Sequence, residues 1–314
     1  MINIQKCAII GCGYVGATCA FSLVQSGLFS EMVLLDYDHE KAVGEAMDLN
    51  HGLPFASPMN IYAGTYSDLH DCYLTIIAAG GGQKPDQTRL DLVKQNSKIT
   101  KGIVSEFIKY NNEGIILVVS NPVDILTYVA KKVSGFPSNR VLGSGTVLDT
   151  ARLKYLLGGH LGVDSRSVHA FIIGEHGDSE LPVWSSANVS GIDLDGFCCS
   201  IDGKCSERDL HGIYSNVRDS AYEIIKRKGA TYYAIAMAVT RIAQCIVKNQ
   251  HSVLPVSCLV DNHYGLSDVY MGIPAIVGSN GVEKVLDIPL DCDEQAKLEN
   301  SASLLKEIIA QLDI

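Results

Sequence analysis

No apolar run in the chain approaches the roughly 20 residues that span a bilayer. The N-terminal "MINIQKCAIIGCGYVG" is too short and too broken by glycine to act as a secretory signal. A cytoplasmic protein is expected. Basic stripes are also missing, and the formal charge is −10. That balance excludes an ordinary nucleic-acid binder, which needs cations for phosphates, and disfavours docking on an acidic membrane. The ten cysteines include no CxxC pair with a second half-site, so no metal is expected. Several, such as Cys7 in "KCAII", sit inside apolar runs, and reduced thiols are the simplest reading. Repeats, linkers and low-complexity tracts are absent too. What remains is a globular chain of 314 residues, 47% hydrophobic and only 19% charged.

Two textures alternate in the first half. "CAII" at 7–10, "MVLL" at 32–35, "LTIIAA" at 74–79 and "IILVV" at 115–119 are continuously apolar, as strands covered on both faces are. Segments with helical spacing lie between them. This order predicts an α/β fold with a Rossmann-type parallel sheet and helices on both faces. The alternation ends near Gly145, so residues 1–144 read as a nucleotide-binding domain and 145–314 as an α+β substrate domain. In the second half, 167–173 and 191–198 read as strands or turns. A helix is expected from Ser206 to Lys226, ending at Gly229. The segment 231–247 is apolar on most faces and reads as a buried helix. "VLPVSCLV" and "VYMGIPAIVG" read as paired strands, and a last helix starts near Glu294.

"GCGYVG" at 11–16 follows a predicted strand and opens a predicted helix. Gly11 allows the tight turn, Gly13 lets a pyrophosphate reach the backbone, and Gly16 lets helix and strand pack. Tyr14 and Val15 carry the first N–H groups that face the phosphates. Asp36 closes the second strand about 20 residues later, where an acid binds ribose hydroxyls and repels a 2′-phosphate. Asp38 adds to that charge. NAD is the expected cofactor.

Four further stretches bear chemistry. "GQKPDQTRLDL" at 82–92 suits a loop over the cofactor, with Arg89 as its main charge. Asn121 ends a strand before Pro122. Asp149 and Arg152 lie three apart on a predicted helix, hence on one face. "IIGEHGDSE" at 172–180 sets His176 between glycines and acids. Each has an ordinary reading as a surface charge, a turn or a surface pair. Together, behind a nucleotide fold, they match one chemistry.

These stretches, with "KGATYYAIA", fall in order along nearly the whole chain, which resembles the lactate/malate dehydrogenase family, nearest its bacterial L-lactate branch. The resemblance implies reversible hydride transfer between NADH and pyruvate, giving L-lactate. His176 would donate and accept the proton, with Asp149 on its other ring nitrogen. Arg152 would grip the substrate carboxylate, and Arg89 would polarise its carbonyl. Asn121 would bond the same oxygen and orient the nicotinamide, against which Ile235 packs. Gln83 stands where malate enzymes of the family carry Arg, and Thr231 is the second pocket residue. Both favour a methyl over a carboxylate. Gly80-Gly81-Gly82 would loosen the loop hinge and widen tolerance for branched 2-oxo acids, making a 2-hydroxyisocaproate dehydrogenase the alternative, with a malate dehydrogenase behind it. His169 matches a bisphosphate-binding His of activated relatives, or is a packed strand histidine. Lys154 takes the place of the accompanying Arg and loses its bidentate grip, implying weak or absent activation. Family members are commonly homotetramers of glycolysis.

Overall fold

The computed structural model describes residues 1–82, 88–201 and 205–312. Six strands form its parallel half: β1 Asn3–Ile10, β2 Glu31–Leu35, β3 Asn60–Ala63, β4 Cys72–Ile77, β5 Ile115–Val118 and β6 Val141–Gly143. Their order is β3-β2-β1-β4-β5-β6. This is the doubly wound arrangement, in which the order reverses between β1 and β4 and leaves a crevice at the carboxyl ends of those strands. The connecting helices are α1 Tyr14–Ser26, α2 His39–Gly52, α3 Arg89–Phe107 and α4 Val123–Ser134. Strand residues alternate between two apolar layers: Cys7, Ile9, Leu74 and Ile76 face one, Ala8, Ile10, Ile77 and Val118 the other. Burial on both faces explains why these strands are continuously apolar.

Helix α5, Val147–Leu161, leaves the sheet just after β6. Short strands follow: β7 Val168–His169, β8 Ile172–Ile173, β9 Leu181–Pro182, β10 Asn188–Val189 and β11 Ile192–Asp193. Next come α6 Leu194–Ser200, α7 Glu207–Lys228 and α8 Tyr233–Val247. The chain then forms β12 Ser252–Val260, β13 Val269–Gly278 and β14 Gly281–Val285, and closes with α9 Cys292–Ile309. The expected strand pair is β12 and β13, antiparallel along nine registered residue pairs. Strand β12 also pairs with β6 through Ser257 and Gly143. Among the described residues one sheet of nine strands therefore runs through both halves of the chain.

Helix boundaries follow their caps. Thr88, Ser206 and Asp291 each close a capping box with an acid three residues on, and open α3, α7 and α9. Gly229 ends α7 in the left-handed region at φ 85°, as a C-terminal glycine should.

Three expectations need correction. Residues 194–200 form helix α6, not a strand, because the Asp193 carboxylate caps the Gly196 N–H at 2.7 Å. Helix α8 is buried on one face only; Tyr233 is 65% and Met237 70% exposed. Its apolar outer face continues onto Tyr14 and Phe21 of α1, against which α8 packs through Ser22 and Thr240. Cys198 and Cys205 are disulfide-bonded, with Cα atoms 5.7 Å apart, and join α6 to the start of α7. The remaining cysteines among the described residues are free.

Candidate active site

The glycine turn at 11–16 does what its spacing requires. Gly11 adopts φ 101°, and a Cβ there would sit 2.5 Å from the Ala79 backbone nitrogen. A Cβ on Gly16 would sit 1.8 Å from the Gly11 carbonyl oxygen. Gly13 is different: a Cβ there meets nothing within 4 Å. That empty space faces the crevice, where backbone must approach a pyrophosphate. Helix α1 begins with Tyr14 and Val15 and has no side-chain cap, so its first N–H groups are offered to an anion. The Tyr14 ring itself stacks on Tyr232, with centroids 5.6 Å apart.

A cavity of about 1000 Å³ opens here, lined by Gly11, Gly13, Asp36, Gly64, Ala79 and Gly81 among others. Asp36 is pinned at its edge. One carboxylate oxygen accepts from Cys12 N at 2.6 Å and the other from Asp38 N at 3.1 Å. The Asp38 side chain accepts from Lys41 N as the cap of α2 and does not line the cavity. Cavity size, open backbone and acid together fit a dinucleotide. In Gly13→Ala the backbone φ of −75° suits alanine, so the fold should keep its thermal midpoint. NADH affinity, read by fluorescence titration, should drop about tenfold or more, from about 1.4 kcal/mol of lost approach.

The second cluster lies where α5 meets the 174–180 loop. Asp149 is buried and bridges two cations. One of its oxygens lies 2.5 Å from His176 Nδ1, and the other accepts from an Arg152 terminal nitrogen at 2.7 Å. Residues 149 and 152 share a helical face, as their spacing predicts, and Arg152 is 15% exposed. Burial disfavours charge on His176, but the Asp149 carboxylate overrides it and holds the imidazolium pKa up to about 9. Burial likewise opposes the charge on Asp149, and His176 with Arg152 holds its pKa below the usual carboxylate value.

Two positioning residues escaped the sequence reading. Asp124, in the first turn of α4, accepts the His176 backbone N–H at 2.7 Å; burial pushes its pKa up to about 6. Asn96 of α3 bonds both backbone groups of Gly81 and donates to the Asn121 carbonyl at 2.8 Å. Gly81 is thus tied down, not loose. Asn121 precedes a cis proline at 122 and is exposed at the carboxyl end of β5.

Two family models match the chain: the lactate/malate dehydrogenase NAD-binding domain over residues 5–143, and the α/β C-terminal domain of the same enzymes over 146–313. The chain belongs to the lactate/malate dehydrogenase family. An L-lactate dehydrogenase of Acetivibrio thermocellus is 54% identical over 312 residues, 99% of this chain and 98% of that one. One from Priestia megaterium is 52% identical over 303 residues, 96% and 95% of the two chains. The solved minor L-lactate dehydrogenase of Enterococcus mundtii in its ligand-bound form superposes with a TM-score of 0.96 at 43% identity, covering 99% of each chain.

Within this family frame, Thr231 is half-buried in the link between α7 and α8, and Ile235 packs against the core from the first turn of α8. His169 is exposed on β7, which removes its reading as a packed histidine, and Lys154 is half-buried on α5, its pKa lowered by burial. Arg89 begins α3, but its side chain lies outside the described residues, as does Gln83.

Proposed function

We propose that the protein is an NAD-dependent L-lactate dehydrogenase that interconverts pyruvate and L-lactate. The observation that carries this reading is the Asp149 carboxylate joining His176 to Arg152 behind a dinucleotide cleft. Gly11, Gly13, Gly16, Tyr14, Val15 and Asp36 hold the dinucleotide, and Asn121 and Ile235 its nicotinamide end. When bound, NAD supplies or takes up the hydride. Because Asp149 occupies Nδ1, Nε2 is the ring nitrogen that gives the proton to the substrate oxygen or takes it back. Arg152 receives the substrate carboxylate in its planar fork, and Arg89, at the first turn of α3, adds charge at the carbonyl. Residues 1–144 supply most of the cofactor site and 145–314 the proton donor and the carboxylate grip, while Gln83 and Arg89 reach the substrate from the first part and Ile235 the nicotinamide from the second.

By the family resemblance, Gln83 and Thr231 are the residues that would meet the substrate's third carbon. Neither can neutralise a second carboxylate in a closed site. Leaving one unpaired costs about 3 kcal/mol or more. The expected kcat/KM is therefore at least about 100-fold higher for pyruvate than for oxaloacetate, read by NADH oxidation. A preference for oxaloacetate would sink the assignment. The tie between Asn96 and Gly81 fixes the glycine run that would otherwise widen tolerance, so 2-oxo-isocaproate should also be the poorer substrate.

The exposed Tyr14 and Phe21 of α1 and Tyr233 and Met237 of α8, two helices packed together, support self-association, in keeping with the homotetramer expected of the family. The predominance of free, buried thiols supports a cytoplasmic location. No helix among the described residues is long and apolar enough to cross a membrane.

A further inference from the structure

The mechanism above leaves two buried acids beside its proton donor without a role; Glu175 accepts a bond from the Ser179 hydroxyl, and Glu180 is the less satisfied of the two. Glu180 lies on the loop that carries His176 and is only 6% exposed. Its backbone is fixed at both ends. The N–H donates to the Gly177 carbonyl at 3.2 Å, and the carbonyl accepts from the Tyr214 hydroxyl of α7 at 2.5 Å. Its Oε1 has no hydrogen-bond partner among the described residues. One ligand-type atom each from Asp149, His176 and Glu180 lies within 4.8 Å of those of the other two.

We propose that Glu180 is a positioning residue that sets the pH at which His176 releases its proton, acting through the electric field at the imidazole and not by touching substrate. The proposal rests on His176 being the proton donor.

Three carboxylates act on one imidazole here, Asp149 most strongly, then Asp124 and Glu180, and their surroundings separate Asp149 from Glu180. Asp149 keeps its charge because each of its oxygens is bonded to a cationic group. Glu180 has no such bond at Oε1. Burial and the neighbouring Asp149 raise its pKa to about 8, against the opposing pull of His176, Arg152 and Arg218. Its charge therefore appears in the range where the imidazole titrates, and the two groups couple. Ionised Glu180 favours the imidazolium; protonated Glu180 leaves that task to Asp149 and Asp124. The charged groups facing the pair come from several elements: Asp149 and Arg152 on α5, Asp124 on α4, and Tyr214 and Arg218 on α7. Across the cavity behind the loop stand His211 of α7 and Glu294 and Lys297 of α9. A buried carboxylate lacking a partner destabilises the fold, and a glutamine would fill the same volume without burying a charge. Packing alone does not explain an acid here.

The test is an NMR titration of the His176 ring in the full-length enzyme and in Glu180→Gln, beside pH profiles of both reaction directions. With the negative charge gone, the His176 midpoint should fall by at least about 0.5 pH unit. The alkaline limb of pyruvate reduction and the acid limb of lactate oxidation should move down with it. Glu180→Asp, which keeps an acid, should restore part of the shift. An unmoved His176 midpoint in folded Glu180→Gln overturns the proposal. The unsubstituted enzyme gives a second reading that needs no variant: the Glu180 carboxyl carbon should titrate well above the usual glutamate range and in step with His176, and an ordinary midpoint overturns the proposal equally. Both readings use the ring and the carboxyl directly. They stand whether or not His176→Gln turns out to lose activity, which is the separate test of the donor assignment.

Discussion

Pyruvate reduction by His176→Gln at pH 7 should fall by about 10²–10⁴-fold, the range for losing a positioned general acid, while NADH still binds. The geometry separates these two effects. His176 is not among the residues lining the dinucleotide cavity, so its loss leaves the cofactor walls intact. Glutamine has nearly the volume of histidine, and its amide can donate to the Asp149 oxygen that Nδ1 now faces. Asp149 also keeps its bond to Arg152, so no buried carboxylate is stranded and the fold should hold. What glutamine lacks is a group that takes and returns a proton near neutral pH. The deficit should therefore appear in kcat, with pyruvate still gripped by Arg152. Stopped-flow NADH oxidation together with a fluorescence titration of NADH measures both quantities. A variant that binds NADH and turns over within tenfold of the parent would remove His176 from the mechanism.

How far the sequence could foretell this depends on which force decided each element. The parallel sheet was legible because strands buried on both faces are apolar at every position, and the glycine turn because three close approaches each demand a missing Cβ. The helical face shared by Asp149 and Arg152 followed from local geometry. Features set by partners distant in the chain were not legible. Asp124 in "NPVDIL" reads as a helix-opening acid, and only tertiary folding brings the His176 N–H, 52 residues away, to its oxygen. Asn96 reads as one more polar residue of α3, yet it ties Gly81 to Asn121. The outer face of α8 looked buried because apolar periodicity reports a preference for being covered, and Tyr233 and Met237 stay largely exposed among the described residues. The Cys198–Cys205 bond has the same origin: spacing did not single that pair out of ten cysteines, and the fold that brings the two Cα atoms to 5.7 Å did. Glu180 went unassigned because its neighbours in sequence are incidental, whereas its neighbours in space are the reacting pair.

Asp149→Asn should be as damaging as loss of the imidazole itself, about 10²–10⁴-fold in either direction, by a different route. Arg152 donates to one oxygen of Asp149, so in the variant the amide oxygen stays with Arg152 and the amide NH2 turns to His176. An NH2 facing Nδ1 makes that nitrogen an acceptor and puts the neutral ring's proton on Nε2. Nε2 then cannot take a proton from the lactate hydroxyl. The same change removes the largest charge that overrides burial, so the imidazolium pKa should drop well below about 9, and much less proton donor survives at pH 7. Stability should carry the same signature. In the parent, His176 is more basic folded than unfolded. Its contribution is complete below the unfolded value near 6.5 and is lost as pH climbs through about 9. The difference in thermal midpoint between parent and Asp149→Asn should therefore be widest at pH 5–6.5 and shrink steadily toward pH 9.5. A difference that stays constant across that range would mean that Asp149 supports the fold without charging the ring, and the imidazole would then lack the means to hold its proton for pyruvate.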